Sequence, residues 1–292
     1  MTFFLALIVD GVLAGSVYAP IALAFVVVYR ASRVVNFALG EWAMLGAALF
    51  GSASHLLGLA AGGVVATSGM VALALVFNRL VLRPLAGRPV IALIMVTLGL
   101  GAVLRGVAAV SLSGVPRRLP LALSTDPIVL GGLAISREKL IAAVIGAAVV
   151  AAVGWFGHRT RAGLAMRAIA DDQQIAAAMG IDLHRYFALT WTLVAVITIV
   201  AGTLWMLAAG GGLGVVLIGL RVFPIVIIGG LDSIAGTIVG ALVVGVLESV
   251  ASGYVDPWLG GGFSTIAAYL VLVGVLFVRP YGLFGQPATV RV

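Results

Sequence analysis

The chain has no cysteine, a single lysine and few charges of either sign. Without thiols there is no disulfide, no thiolate nucleophile and no cysteine-ligated metal. No G-x-x-x-x-G-K-[ST] occurs, and Lys139 follows Arg137-Glu138, so a P-loop for ATP is absent from this chain. There is no H-E-x-x-H and no serine in a nucleophile-elbow context, and His55, His158 and His184 are too scattered for a metal site. These absences exclude the common enzyme classes: no catalytic residue, cofactor or metal is expected, and any ATP hydrolysis would fall to another chain.

What the sequence does have is apolar length. Hydrophobic residues make up 63% of 292 positions and charged residues 9%. About 20 apolar residues cross a hydrocarbon core about 30 Å thick. Such runs are expected at about 3–29, 37–57, 60–82, 90–110, 139–157, 186–209, 222–250 and 263–279. The expected fold is an all-α polytopic membrane protein of about eight transmembrane helices, with residues 1–292 forming one transmembrane domain. The first run lacks a basic flank in front and is too long for a signal-peptide core, so it reads as a retained span. The 222–250 run is interrupted by Gly229-Gly230-Leu231-Asp232-Ser233-Ile234-Ala235-Gly236. An intramembrane Asp is costly, and broken helices persist only where protein or a water-filled cavity surrounds them. Two half-spans or a re-entrant hairpin are both compatible with it.

The excess of basic residues, 17 against 10 acidic, reads as topology rather than nucleic-acid binding, because most arginines sit at the ends of apolar runs. With 158–185 placed in the cytoplasm, alternation puts Arg30/Arg33, Arg79/Arg83/Arg88 and Arg279/Arg291 inside as well. Arg117, Arg118, Arg137, Lys139 and Arg221 fall outside. The N-terminus is then external and the C-terminus cytoplasmic. Residues 111–138 carry three prolines and no helical period, so they read as an external loop with a strand-like piece around Ile128 to Ile135.

The stretch 158–185 stays polar and Ala-rich between two spans, which suits a segment presented to a soluble partner. Asp171 and Asp172 can cap a helix start. Ile175 to Met179, with Ala176, Ala177 and Ala178, favours a short helix, and Gly180 is placed to end it in a left-handed cap. A solvated loop helix without a partner accounts for the same residues equally well. Near the first turn of the second span, Asn36 can cap a helix that holds Glu41 near the membrane edge, paired with Arg30, Arg33 or a helix end. A structural cap and ion pair is the plainer reading of those two. Tyr18, Asn36, Glu41 and Thr97 are the candidates for facing a translocation path. In the break, Asp232 and Ser233 read as caps rather than path residues. Gly11/Gly15, Gly58/Gly62 and Gly236/Gly240 are small-xxx-small pairs suited to close helix packing. Arg105 is expected to snorkel from its span, and Glu248 and Asp256 to lie near an interface.

Four stretches resemble a known family. G-S-V-Y-A-P-I-A-L-A-F-V-V-V-Y-R (15–30) followed by V-N-F-A-L-G-E-W-A-M-L-G-A (35–47) looks like the opening of branched-chain amino acid ABC transporter permeases. R-A-I-A-D-D-Q-Q-I-A-A-A-M-G-I-D (167–182) is similar to their cytoplasmic coupling loop. The stretch 227–248 and R-P-Y-G-L-F-G (279–285) resemble the C-terminal part. The resemblance implies an inner-membrane importer subunit in a bacterial lipid bilayer. Its implied partners are two cytoplasmic P-loop ATPases, a second homologous permease and a periplasmic or extracellular substrate-binding protein. It also implies that Arg167, Asp171, Asp172, Ala176, Ala177, Ala178, Gly180 and Asp182 belong to the ATPase-coupling segment. Two departures stand out: Leu39 occupies the place of a usual His, and Asp232-Ser233-Ile234-Ala235-Gly236 that of Gly-Ser-Ile-Pro-Gly. Permeases for urea or short amides share these motifs, so that alternative stays open. An ion-coupled secondary transporter is a further one.

Overall fold

The computed structural model describes residues 2–85, 88–111, 116, 118–120 and 126–285. Arg117, Arg291 and much of the expected external loop lie outside the described residues. The chain is an all-α polytopic membrane fold. Its helices are α1 (Thr2–Ser32), α2 (Leu39–Leu57), α3 (Leu59–Phe77), α4 (Arg83–Leu85), α5 (Val90–Ser111), α6 (Arg137–Arg159), α7 (Arg161–Asp171), α8 (Gln173–Ala178), α9 (Leu183–Ala209), α10 (Leu217–Gly229), α11 (Ile234–Tyr254), α12 (Asp256–Leu259) and α13 (Phe263–Val278). A π-turn, Asn78–Leu82, joins α3 to α4, and a 3₁₀ turn, Leu213–Val216, leads into α10. The expected strand-like piece is a two-stranded antiparallel hairpin, β1 (Ile128–Leu130) with β2 (Leu133–Ile135).

Six helical runs are long and apolar enough to span: Thr2–Ser32, Leu59–Leu85, Ile91–Val110, Arg137–Arg159, Leu183–Ala209 and Ile234–Tyr254. The expected number of about eight is therefore loose. Helix α2 has the length, but Glu41 and His55 lower its hydropathy. It tolerates them because most of it is buried in protein rather than in lipid. The break expected within 222–250 is present, and the two helices it separates are unequal. Helix α10 has 13 residues, a rise of about 20 Å and too short to cross alone. A tight turn at 230–233 then starts the full-length α11.

Helix α1 is the core. It is 31 residues long and packs against α6, α9, α10 and α11. Small residues let the backbones meet. A Cβ at Gly15 would lie 2.6 Å from the Ala241 carbonyl oxygen, and one at Gly245 would lie 2.4 Å from that of Gly11. Gly236 and Gly240 approach the α10 backbone in the same way. Of the three expected packing pairs, the one at Gly58/Gly62 divides: Gly62 abuts Ser54, whereas Gly58 forms the α2–α3 turn at φ +85 with open space around it. Pro20 lies inside α1, so the Ser16 carbonyl loses its helical donor. Gly146 of α6 passes directly over that oxygen, where a Cβ would stand 2.3 Å away.

Candidate functional site

Three places in this bundle carry polar groups at or near membrane depth. The first lies where the chain re-enters the bundle after α1. Arg33 ends that helix with φ 56 and donates its N–H to the Tyr29 carbonyl. Residues 33–38 are not helical, and Val34, Asn36 and Ala38 are buried. Non-helical backbone at this depth must find partners within the protein. Asn36 Oδ1 accepts from Ala38 N–H at 3.0 Å, and Thr97 Oγ1 accepts from Phe37 N–H at 3.4 Å. Thr97 lies about 10 Å into α5 by helical rise, so α2 begins within the membrane and not at its edge. Asn36 is a turn residue two positions before Ala38, and α2 has no side-chain cap.

One turn further on, Glu41 Oε1 accepts from Arg105 Nη2 at 2.5 Å. This corrects two expectations. Glu41 pairs with Arg105 of α5 rather than with Arg30, Arg33 or a helix end, and the half-exposed Arg105 reaches back along α5 to Glu41 rather than snorkelling outward. Gly101 makes the pairing possible, since its missing Cβ would stand 3.1 Å from Glu41 Cδ. Asn36, Glu41 and Thr97 are thus brought together. Asn36 Nδ2 and Trp42 Nε1 are buried donors with no acceptor among the described residues.

Tyr18 belongs to a second network. Its hydroxyl donates to Glu248 Oε2 at 2.8 Å, and Arg221 Nη1 donates to the same carboxylate oxygen at 2.7 Å and to the Tyr18 hydroxyl. The Arg221 guanidinium lies over the Tyr18 and Trp205 rings, 5.3 and 5.0 Å from their centroids. Arg221 is therefore a residue of the bundle interior rather than of an external loop, and Glu248 is buried rather than interfacial. Sequence reading missed both. The available signal was a charge inside each of two apolar runs, 27 positions apart.

The third place is the C-terminal end of α1. Helices α7 and α8 form two short consecutive pieces, each held by its own start. Thr160 Oγ1 accepts from Gly163 N–H, Asp172 Oδ1 from Gln174 and Ile175 N–H, and Asp182 Oδ1 from Arg185 N–H at the head of α9. Asp172 is the cap of α8, while Asp171 ends α7 and acts electrostatically on Arg30 together with Asp232. Gly180 has φ +83 and follows α8 as expected. Arg33 donates to the Ala170 carbonyl and Gln173 to that of Ala31, fastening the segment to α1. Arg167 Nη1 donates to His158 Nδ1 at 3.2 Å. Ala176 is buried against its own chain, whereas Ala177, Ala178, Leu164, Ile175 and Met179 are exposed. Replacing Asp172 by Ala removes the α8 cap, worth about 1 kcal/mol. The amides of Gln174 and Ile175 are then expected to exchange roughly fivefold faster in hydrogen-exchange mass spectrometry.

The break near α10 closes on the C-terminal stretch. Leu283 and Phe284 N–H donate to the Ile228 and Gly229 carbonyls, which are among the last acceptors of α10 and have no helical donor. A Cβ at Gly282 would meet Ile227 O at 2.4 Å. Gly229 and Gly236 lie backbone to backbone. In the turn, Ser233 caps α11 through Gly236 N–H, while Asp232 makes no cap. Among the described residues no three His, Asp or Glu side chains gather to hold a metal.

Residues 7–279 match the family model described as branched-chain amino acid transport system / permease component. The chain is 28% identical over 309 residues to the high-affinity branched-chain amino acid transport system permease protein BraD of Pseudomonas aeruginosa, covering 99% of this chain and 98% of that protein. It is 26% identical over 311 residues to the corresponding LivH of Escherichia coli K12, again covering 99% and 98%. Among solved structures, PsaBC from Streptococcus pneumoniae in complex with Fab is similar at a TM-score of 0.47 and 19% identity, covering 97% of this chain and 92% of that one.

Proposed function

This chain belongs to the branched-chain amino acid transport system permease component family, and we propose that it carries leucine, isoleucine, valine or close relatives through the membrane as the permease subunit of an ABC importer. The observation that supports this most is the full-length likeness over residues 7–279. It does not favour the urea, short-amide or ion-coupled alternatives. Two cytoplasmic ATPases, a second homologous permease and an external substrate-binding protein complete the proposed assembly. Residues 1–292 act as one transmembrane unit in the bacterial cytoplasmic membrane, with the N-terminus and 111–138 outside and the C-terminus and 158–185 inside.

The coupling surface is the α7–α8 segment. Its structural ties run to α1 through Arg33 and Gln173, so displacement of the segment acts on the most buried helix of the bundle. Its outward side carries Leu164, Ile175 and Met179, which are 61%, 58% and 79% exposed. Apolar side chains presented on an otherwise charged segment suit a groove on a partner. Arg167, Asp171, Asp172 and Asp182 hold its shape and charge, and Gly180 fixes its end. Within the membrane, Asn36, Glu41 and Thr97 border the translocation path, and Tyr18 faces it from the separate network with Arg221 and Glu248. The unpaired Asn36 Nδ2 donor supports this placement, because a buried donor is stabilised by an acceptor that water or substrate supplies.

Two experiments test the reading. Purification of the tagged chain in mild detergent should co-recover two P-loop ATPases and a homologous permease. Recovery of the chain alone, from membranes that still take up leucine on an ion gradient, removes the importer reading. Second, Gly180→Val forces a β-branched residue to φ +83, a strain of about 1–3 kcal/mol. Leucine uptake is expected to fall at least severalfold while the amount of inserted chain is unchanged. Unchanged uptake dismisses α8 as the coupling element.

A further inference from the structure

The Glu41–Arg105 pair lies where a charge is hardest to keep. Gly101, against which the Glu41 carboxylate rests, is about 16 Å from the start of α5, close to the middle of a core about 30 Å thick. The Glu41 side chain is 9% exposed, whereas that of Arg105 is 55% exposed. Helix α5 touches the rest of the chain chiefly through α2 and along one narrow stripe, where Thr97, Gly101, Leu104 and Ala108 are buried. Arg105 lies at the edge of that stripe, within about 60° around the helix of Gly101 and Ala108 on its buried side and of Leu98, Ala102 and Ala109 on its open side. A half-exposed guanidinium at mid-depth is not compatible with a lipid-facing surface; such groups face protein interiors or water. The other mid-membrane ion pair, Arg221–Glu248, is closed by Tyr18 and two aromatic faces and leaves no comparable opening.

A guanidinium has five N–H donors in a planar fork, and among the described residues one Arg105 contact, to Glu41 Oε1, is made. Glu41 holds the fork in place from the buried side and leaves its other edge toward the open face. We propose that Arg105 is the residue of this permease that engages the α-carboxylate of the passing amino acid, with Glu41 as its positioning residue. Beside Arg105 the α5 face is small and apolar, with Leu98, Ala102 and Ala109, and it offers an aliphatic side chain contact without a polar competitor. The inference rests on the amino-acid importer reading. It adds to that reading a chemical requirement on the substrate: a free carboxylate.

The test uses the complete transporter, reconstituted with its ATPases, second permease and binding protein, and radiolabelled leucine as probe. Glu41→Gln combined with Arg105→Met removes both charges together, which leaves neither partner stranded and is close to neutral for folding. Leucine uptake is expected to drop roughly tenfold or more, the value of a charge-assisted hydrogen bond lost, while ATP hydrolysis stimulated by the loaded binding protein persists. Arg105→Lys keeps a cation without the fork and is expected to retain intermediate uptake. Full uptake by the doubly neutral variant overturns the inference and leaves the importer reading standing. Absence of leucine uptake by the unaltered complex overturns the importer reading itself. A second measurement is independent of whether the double variant assembles. The chain has no cysteine, so Ala102→Cys introduces its only thiol. That thiol is expected to react with a membrane-impermeant sulfonated methanethiosulfonate in the assembled transporter, and a thiol that stays unlabelled overturns the inference.

Discussion

Gly202→Leu is expected to prevent this chain from assembling a stable bundle. A Cβ at position 202 would stand 2.0 Å from the Ala43 carbonyl oxygen and 2.7 Å from its carbon. Both are backbone atoms of α2, so no rotamer change relieves the overlap. The neighbouring contact is equally tight from the other side, since a Cβ at Gly46 would lie 2.8 Å from Ile199 Cα. Helices α2 and α9 therefore meet backbone to backbone over about one turn, and a leucine wedge must drive them apart. The separation opens the aromatic cluster of Trp42, Trp191 and Phe77, whose ring centroids are 5.0–6.0 Å apart. Overpacking alone costs about 1–3 kcal/mol, and loosened ring pairs about 0.5–1.5 kcal/mol each. The expected readout is a fall of at least about 6 °C in thermal unfolding of the detergent-solubilised chain, or loss of its monodisperse peak. Gly274→Leu on α13, where a side chain meets nothing within 4 Å, is the matched control and should leave both unchanged.

The second large effect is expected at Arg221. Arg221→Met leaves Glu248 buried with only the Tyr18 hydroxyl as partner, and it removes the cation from the Tyr18 and Trp205 faces. Removing one partner of a buried pair costs about 3–5 kcal/mol, because the other charge remains without its counter-ion. The network ties α1, α9, α10 and α11 at a single point, so the loss acts on four helices at once. Adding Glu248→Gln to Arg221→Met is expected to recover most of the lost stability, since the glutamine still accepts from Tyr18 and carries no charge. A double variant no more stable than Arg221→Met alone rejects the stranded-charge explanation.

The contrast between what local pattern shows and what it hides follows from distance along the chain. The apolar runs, the stop at Gly180, the hairpin near 128–135 and the interruption after Gly229 are local features, so composition and glycine placement were enough to expect them. What the break did not reveal is that its two sides are unequal, α10 stopping at 13 residues while α11 is a full-length span. The ion pairs were out of reach for a different reason. Glu41 and Arg105 are separated by 64 positions and Tyr18 and Glu248 by 230, and nothing in helical periodicity says which of several intramembrane charges will meet. Asp172 rather than Asp171 as the cap, and Ser233 rather than Asp232, depend on backbone angles that two adjacent polar residues do not distinguish.

The closure of α10 by the C-terminal stretch has a consequence for how the protein is made. The carbonyls of Ile228 and Gly229 wait for N–H groups at Leu283 and Phe284, which leave the ribosome more than fifty residues later. Helices α11 and α13 are synthesised and enter the bilayer before that end of α10 is sealed. Sealing this end of α10 therefore waits for residues 283–284 to dock beside the turn at 230–233. A chain that stalls or is clipped before residue 283 carries its full set of long spans yet has an unfinished junction, and it offers cellular quality control a direct mark of incompleteness.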